Sequence, residues 1–312
     1  MRRPAGPKLR LLGASASGSH GVPRLAGSGI WSGAFPAAGL RVAVLGPLVI
    51  SGGAGELQPR QAELVGALAL AGTDGLSADV LRTRLGTDPD HPKDAALLRQ
   101  VITRTRRKLG ATPVGGEYII YDECSARYRL DATVRVDLEE FRALARSGRA
   151  AADPRPLYEA ITLLRGHPLD GMYWWWLDAA VIERVRVEAV DAAVLLARLA
   201  LEAGDPVTGR RAALSGLTVD PAAEELWRQL MLAEDTAGNT AGVQRAWARC
   251  RAAIADIALE GEPHPATAAL YRSLTACRPK TATVPRVPGA GAALRARLLG
   301  ERRTEVRAAA AG

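Results

Sequence analysis

Apolar residues keep no regular spacing over the first 39 positions, and a pattern begins only at Leu40. Leu40-Arg41-Val42-Ala43-Val44-Leu45-Gly46 predicts a strand, which Leu48-Val49-Ile50 continues to a turn at Ser51-Gly52-Gly53. Pro59-Arg60-Gln61 opens a helix with apolar positions at Leu64, Val65, Leu68 and Leu70, stopped by Gly72. Ser77 caps a short second helix carrying Val80, Leu81 and Leu85, and Gly86 ends it. A third helix runs from about Asp94 to Leu109, with Gly110 as its stop. Residues 118–121 and 127–130 then flank the loop 122–126 as a hairpin.

Strands, three helices and a hairpin, in that order, are the layout of a winged helix-turn-helix, an α+β unit expected over residues 40–132. Beyond Asp137 the pattern turns almost wholly helical. The expected helices are 138–145, 156–164, 178–203, 206–215, 221–236, 240–257 and 265–274. Laid on itself with a shift of 34 residues, this segment places Leu196 on Leu230 and Ala212 on Ala246. The same shift places Ala203-Gly204-Asp205 on Ala237-Gly238-Asn239. Thirty-four is the tetratricopeptide period, in which paired helices stack because neither buries its apolar stripe alone. The fold class is therefore mixed: a winged helix-turn-helix followed by an all-α tetratricopeptide-like domain over 133–276. That second segment has its own apolar periods and caps, so it is expected to fold by itself.

Charge divides the chain further. The net +8 of the 312 residues is concentrated at the ends, +5 over 1–40 and +6 over 277–312, leaving −3 between them. Residues 1–39 and 277–312 are Gly-, Ala- and Pro-rich without an apolar period, and read as disordered basic tails. Against the negative middle, residues 93–110 carry six basic residues and one acidic. In that third helix Leu98, Val101, Ile102, Thr105 and Leu109 share one face. Gln100, Thr103, Arg104 and Arg107 take the opposite face, with Arg99 and Arg106 on its flanks. Arginine pairs with guanine, glutamine with adenine, and the remaining cations neutralise phosphates, so this face suits the major groove of duplex DNA. In the hairpin Arg127 and Arg129 alternate with Tyr128 and Leu130, a second basic edge beside the first. A solvated Arg-rich face and a charge-protected edge hairpin are the alternatives.

The segment from Leu98 to Gly110 resembles the third helix of the Streptomyces antibiotic regulatory protein family. Leu40-Arg41-Val42-Ala43-Val44-Leu45-Gly46-Pro47-Leu48 and Tyr128-Arg129-Leu130-Asp131 resemble that family too. Gly204-Asp205, Asp220-Pro221, Glu224-Glu225-Leu226-Trp227, Leu230-Met231, Gly238-Asn239, His264-Pro265, Thr267 and Leu270-Tyr271 resemble its bacterial transcriptional activator domain. The resemblance covers about residues 40–276 in the family's domain order. It implies an OmpR-type winged helix on double-stranded promoter DNA, and a helical domain contacting RNA polymerase or a second protomer. Thr105 stands where the family usually has a core leucine, and Arg127 where a glycine usually opens the wing motif. Helix two leads into Leu85-Gly86-Thr87 without the family's tryptophan. The helical half also resembles that of membrane-anchored relatives. The second reading is accordingly a helical-repeat interaction scaffold whose winged domain no longer reads DNA.

Other chemistries find little support. Cys124, Cys250 and Cys277 fit neither a disulfide framework nor a zinc spacing. His20, His91, His167 and His264 lack metal-ligand spacing, and no nucleophile elbow or phosphate-binding loop is present. The expectation is a cytoplasmic, non-enzymatic protein without a cofactor. The apolar core after Arg2, Arg3, Lys8 and Arg10 is shorter than a secretory signal requires. Tyr173-Trp174-Trp175-Trp176 cannot all face inward on one helix and is either a partner contact or a covered plug.

Overall fold

The computed structural model describes residues 39–85, 92–172, 179–257 and 261–276. The segments 1–38 and 277–312, Gly86 and the Tyr173-Trp174-Trp175-Trp176 run lie outside them. The N-terminal half contains β1 (Arg41–Ala43), β2 (Val49–Ser51), α1 (Pro59–Ala71), β3 (Leu76–Ser77), α2 (Ala78–Arg84) and α3 (Pro92–Leu109). It closes with β4 (Ile119–Asp122), β5 (Arg127–Leu130) and β6 (Arg135–Val136). The helical half contains α4 (Asp137–Ala151), α5 (Pro154–Thr162), α6 (Ala179–Glu202), α7 (Pro206–Val219), α8 (Glu224–Thr236), α9 (Thr240–Ile257) and α10 (Pro265–Thr275).

Residues 40–50 do not form the continued strand that their apolar run predicts. β1 and β2 instead pair antiparallel, with Arg41 opposite Ser51 and Ala43 opposite Val49. The cause lies 92 residues further on. The amides of Val44 and Leu45 leave the ladder and donate to the Asp137 carboxylate at 2.7 and 3.1 Å. Gly46 follows at φ 148°, and a Cβ on it would sit 2.7 Å from the Arg165 Cβ. Only glycine admits that approach. β6 pairs parallel with β1, so the first sheet runs β2-β1-β6. Leu45 accepts from the Arg165 amide (2.7 Å) and Val44 from the Leu169 amide (3.0 Å). The two halves are thus joined by backbone hydrogen bonds, and one apolar core runs from Leu40 and Val42 through Leu138 and Phe141 to Leu157 and Ile161.

The second sheet runs β3-β5-β4, with the hairpin β4–β5 at its edge and β3 set against Arg127 and Tyr128. Leu64, Val65 and Leu68 of α1, Leu81 of α2 and Ile119 of β4 are buried with the apolar face of α3. Ser77 caps α2 as its sequence predicts, its hydroxyl accepting from the Val80 amide at 3.3 Å.

In the helical half the 34-residue shift is visible bond for bond. Asp205 N donates to Ala200 O and Asn239 N to Glu234 O, both at 2.8 Å. Gly209 N reaches Asp205 O and Val243 N reaches Asn239 O, both at 3.1 Å. Gly204 and Gly238 share nearly the same left-handed φ, 71° and 72°. Asp205 caps α7 through the amides of Val207 and Thr208, and Asn239 accepts from the Gly242 amide. Leu196, Leu230, Ala212 and Ala246 are all buried. No helix among the described residues is long and apolar enough to cross a membrane.

Candidate nucleic-acid interface

α3 is held along one face and at its C-terminal end. Leu98, Ile102 and Leu109 are buried and Val101 is half-buried. Thr105 shares that face with no exposed surface, and its hydroxyl donates to the Val101 carbonyl at 2.8 Å. A threonine in the place of a core apolar residue is thereby satisfied within its own helix. The last carbonyls are closed from outside: Gly55 N donates to Lys108 O at 2.9 Å and Ala54 N to Leu109 O at 3.3 Å. An end held on two sides presents the outward face in a fixed orientation.

That face carries Arg99, Gln100, Thr103, Arg104 and Arg107, all exposed. The Thr103 hydroxyl donates to the Arg99 carbonyl at 2.8 Å. The guanidinium groups of Arg99, Arg104 and Arg107 meet no carboxylate among the described residues. Lys108, counted in the basic cluster but outside the face drawn from the helical period, is exposed beside them, its stem along Gly55.

The remaining three candidates are placed differently. Arg106 turns toward the hairpin, donating from Nε to the Ile119 carbonyl at 2.9 Å, with Nη1 3.0 Å from Glu117 Oε2. Arg127 is exposed, and its Nη1 lies 3.4 Å from the carbonyls of Asp74 and Gly75, across the sheet. Arg129 is half-buried near two carboxylates. Asp122 is held below the usual carboxylate range by hydrogen bonds from Ser125 and the Cys124 amide, and Asp131 by its bonds from Thr133; Arg129 lowers both further. Tyr121 and Tyr128 face each other across the hairpin with ring centroids 4.9 Å apart. The structure therefore gathers five of the eight candidates on one open face and leaves Arg106, Arg127 and Arg129 engaged beside it. Glu117, which no motif marked, emerges as the partner that turns Arg106 aside.

Among the described residues no group of three or more His, Cys, Asp or Glu could hold a metal. Burial pushes the Cys250 thiol up to about 12, which leaves it protonated and inert at neutral pH.

Residues 131–275 match the bacterial transcriptional activator domain family. The matched stretch begins just after β5 and includes every described helix of the helical half, so Asp137 belongs to it while the two amides it binds do not. Among solved structures, Mycobacterium tuberculosis EmbR in complex with a low-affinity phosphopeptide is similar at a TM-score of 0.55 and 22% identity. The similarity covers 85% of this chain and 70% of that one, a likeness of fold that extends beyond the activator domain. No curated protein matches in sequence.

Proposed function

We propose that this protein is a transcriptional regulator of the Streptomyces antibiotic regulatory protein type. It binds double-stranded promoter DNA through a winged helix-turn-helix and contacts RNA polymerase or a second protomer through its activator domain. The observation that carries the reading is the outward face of α3, where Arg99, Gln100, Thr103, Arg104 and Arg107 stand exposed with no carboxylate on the arginines among the described residues. Unneutralised arginines on a rigid helix fit phosphates and guanine edges, and Gln100 supplies an adenine-reading amide. The hairpin β4–β5 beside it takes the place of a wing, with Arg127 and Arg129 toward the backbone. The activator-domain match and the fold likeness to EmbR support the regulatory context.

A second reading keeps the activator domain as an interaction scaffold and gives the N-terminal half no DNA. The intramolecular contacts of Arg106 and Arg127 favour it, because they withdraw two cations from any partner. Enrichment of duplexes from a randomised pool by the full chain, followed by a salt series on the enriched sequence, separates the two. The DNA reading expects one enriched motif. It also expects log affinity to fall linearly with log salt, the slope dropping by about two when Arg104 and Arg107 are both changed to Ala. No motif and no slope would leave the scaffold.

A further inference from the structure

Arg106 is held by two partners, unlike the other described basic side chains of α3. It sits in the last turn, where the chain leaves the helix for the hairpin by way of residues 110–118. That link is itself braced: Thr112 N donates to Gly116 O at 2.8 Å, the Gly116 amide donates back to the Thr112 hydroxyl at 2.9 Å, and Ala111 bridges Glu117. The Arg106 guanidinium spans the whole link from helix to strand. One edge reaches the carbonyl of Ile119, a fully buried residue at the start of β4, and the other reaches the Glu117 carboxylate. A planar fork that meets a carbonyl and a carboxylate at once fixes an angle, which a point charge on a flexible stem does not.

We infer that Arg106 is a positioning residue: it does not touch DNA but locks the hairpin against α3, so that the reading face and the wing meet the duplex in one fixed geometry. This rests on the DNA reading of α3. Alignment of recognition groups depends on such supports, and a small misplacement costs preference for the right sequence more than it costs phosphate attraction. The inference thus predicts a split between two readouts that a phosphate contact would move together.

The test uses the full chain with the duplex it enriches from a randomised pool and a scrambled duplex of the same composition. Arg104→Ala should lower the salt slope by about one. Arg106→Ala should leave the slope at the wild-type value while the preference for the enriched duplex falls roughly tenfold. Arg106→Lys keeps the charge but not the fork; it should lose the same preference, and β4 amides should exchange faster in the free protein. If Arg106→Ala fails to fold, Arg106→Lys alone decides. A slope lowered by Arg106→Ala and restored, with preference, by Arg106→Lys would make Arg106 a phosphate contact and overturn the inference. If the wild-type chain enriches no duplex, the DNA reading fails first. Hydrogen exchange then judges the brace alone: faster β4 exchange in Arg106→Lys supports it, and unchanged exchange refutes it.

Discussion

Arginine serves opposite ends on α3 and along the helical half. Along the helical half it meets acids: Arg142 with Glu188 at 2.7 Å, Arg210 with Glu234 at 3.6 Å, Arg186 with Glu183 and with Asp220 at 3.7 Å, and Arg228 with Glu225. Residues 133–276 hold sixteen basic and twenty acidic residues, so the positive field there is cancelled close to its source. On the outward face of α3 the same residue type meets no acid among the described residues. Exposed ion pairs add little stability, roughly 0–1 kcal/mol each, so their absence on α3 costs the fold almost nothing. It leaves a field that is open to solvent ions or to an anionic partner. A count of arginines does not separate the two regions; whether a carboxylate stands within reach does.

Charge reversal is the sharpest way to break this comparison. Arg104→Glu should lower affinity for an enriched duplex by about 10²-fold at physiological salt, because it removes a cation and sets an anion against phosphate. Arg210→Glu in α7 changes net charge equally and should alter DNA affinity less than about twofold, since it lies in a region that already cancels its own field. Affinity titrations of the two variants decide. Equal losses would mean that net charge, not the α3 face, attracts DNA.

The next largest effect concerns the seam. Asp137 is buried, accepts from the amides of Val44 and Leu45, and lies 3.6 Å from Arg165 Nη2. In Asp137→Asn the new amide nitrogen faces a backbone N–H, so one donor goes unpaired; the expected cost is about 1–3 kcal/mol in urea unfolding. A fragment of residues 133–276 loses both donors together with the β1 partner of β6. It should unfold roughly 2–4 kcal/mol more readily than the full chain, and still not bind DNA. A fragment as stable as the full chain would make the helical half independent of the N-terminal half.

Acidity probes the same seam. Burial raises the Asp137 carboxyl above its ordinary 3.8, against the two amides and Arg165, which lower it. A carboxyl whose folded pKa exceeds its unfolded one binds more protons folded than unfolded between the two values. Its contribution to stability is then fully present below the unfolded pKa and is lost as pH rises through the folded one. The stability difference between wild type and the non-titrating Asp137→Asn should therefore widen as pH is lowered through that window and level off below about 3.8. Urea unfolding of both proteins over that pH range measures it; a difference that narrows would reverse the sign.

What was legible in the sequence is what repeats locally. The two faces of α3 follow from one helical period, and Gly204-Asp205 with Gly238-Asn239 declared a repeated turn whose hydrogen bonds coincide. Asp137 was one acid among many, because nothing near it in sequence announces partners 92 and 93 residues away. β3 and β6 have two residues each, too short for an alternating pattern, and exist through strands supplied by distant segments. The side to which Arg106 turns could not be read from the helical period, since a flank faces solvent or a neighbour according to where the hairpin packs. The arginines of the outward face escaped that ambiguity because no described neighbour reaches them.

The finest test sets the two faces of α3 against each other with a single substitution. Thr103 and Thr105 are two residues apart, and each donates its hydroxyl at 2.8 Å to the carbonyl four residues back. Thr105 is fully buried and Thr103 is exposed. Valine matches threonine in shape and branching, so either change removes one hydroxyl and little else. The Val101 carbonyl also lies within the α-helical ladder, so Thr105→Val should shift stability by no more than about 1 kcal/mol. It should leave the preference for an enriched duplex untouched, because no DNA group can approach that position. Thr103→Val should leave stability unchanged and lower that preference by roughly threefold, the scale of one lost polar contact at a groove. Thermal melts and competition binding on the two variants read both effects. A preference lost in Thr105→Val but kept in Thr103→Val would show that packing beneath α3, rather than its outward face, sets what the helix recognises.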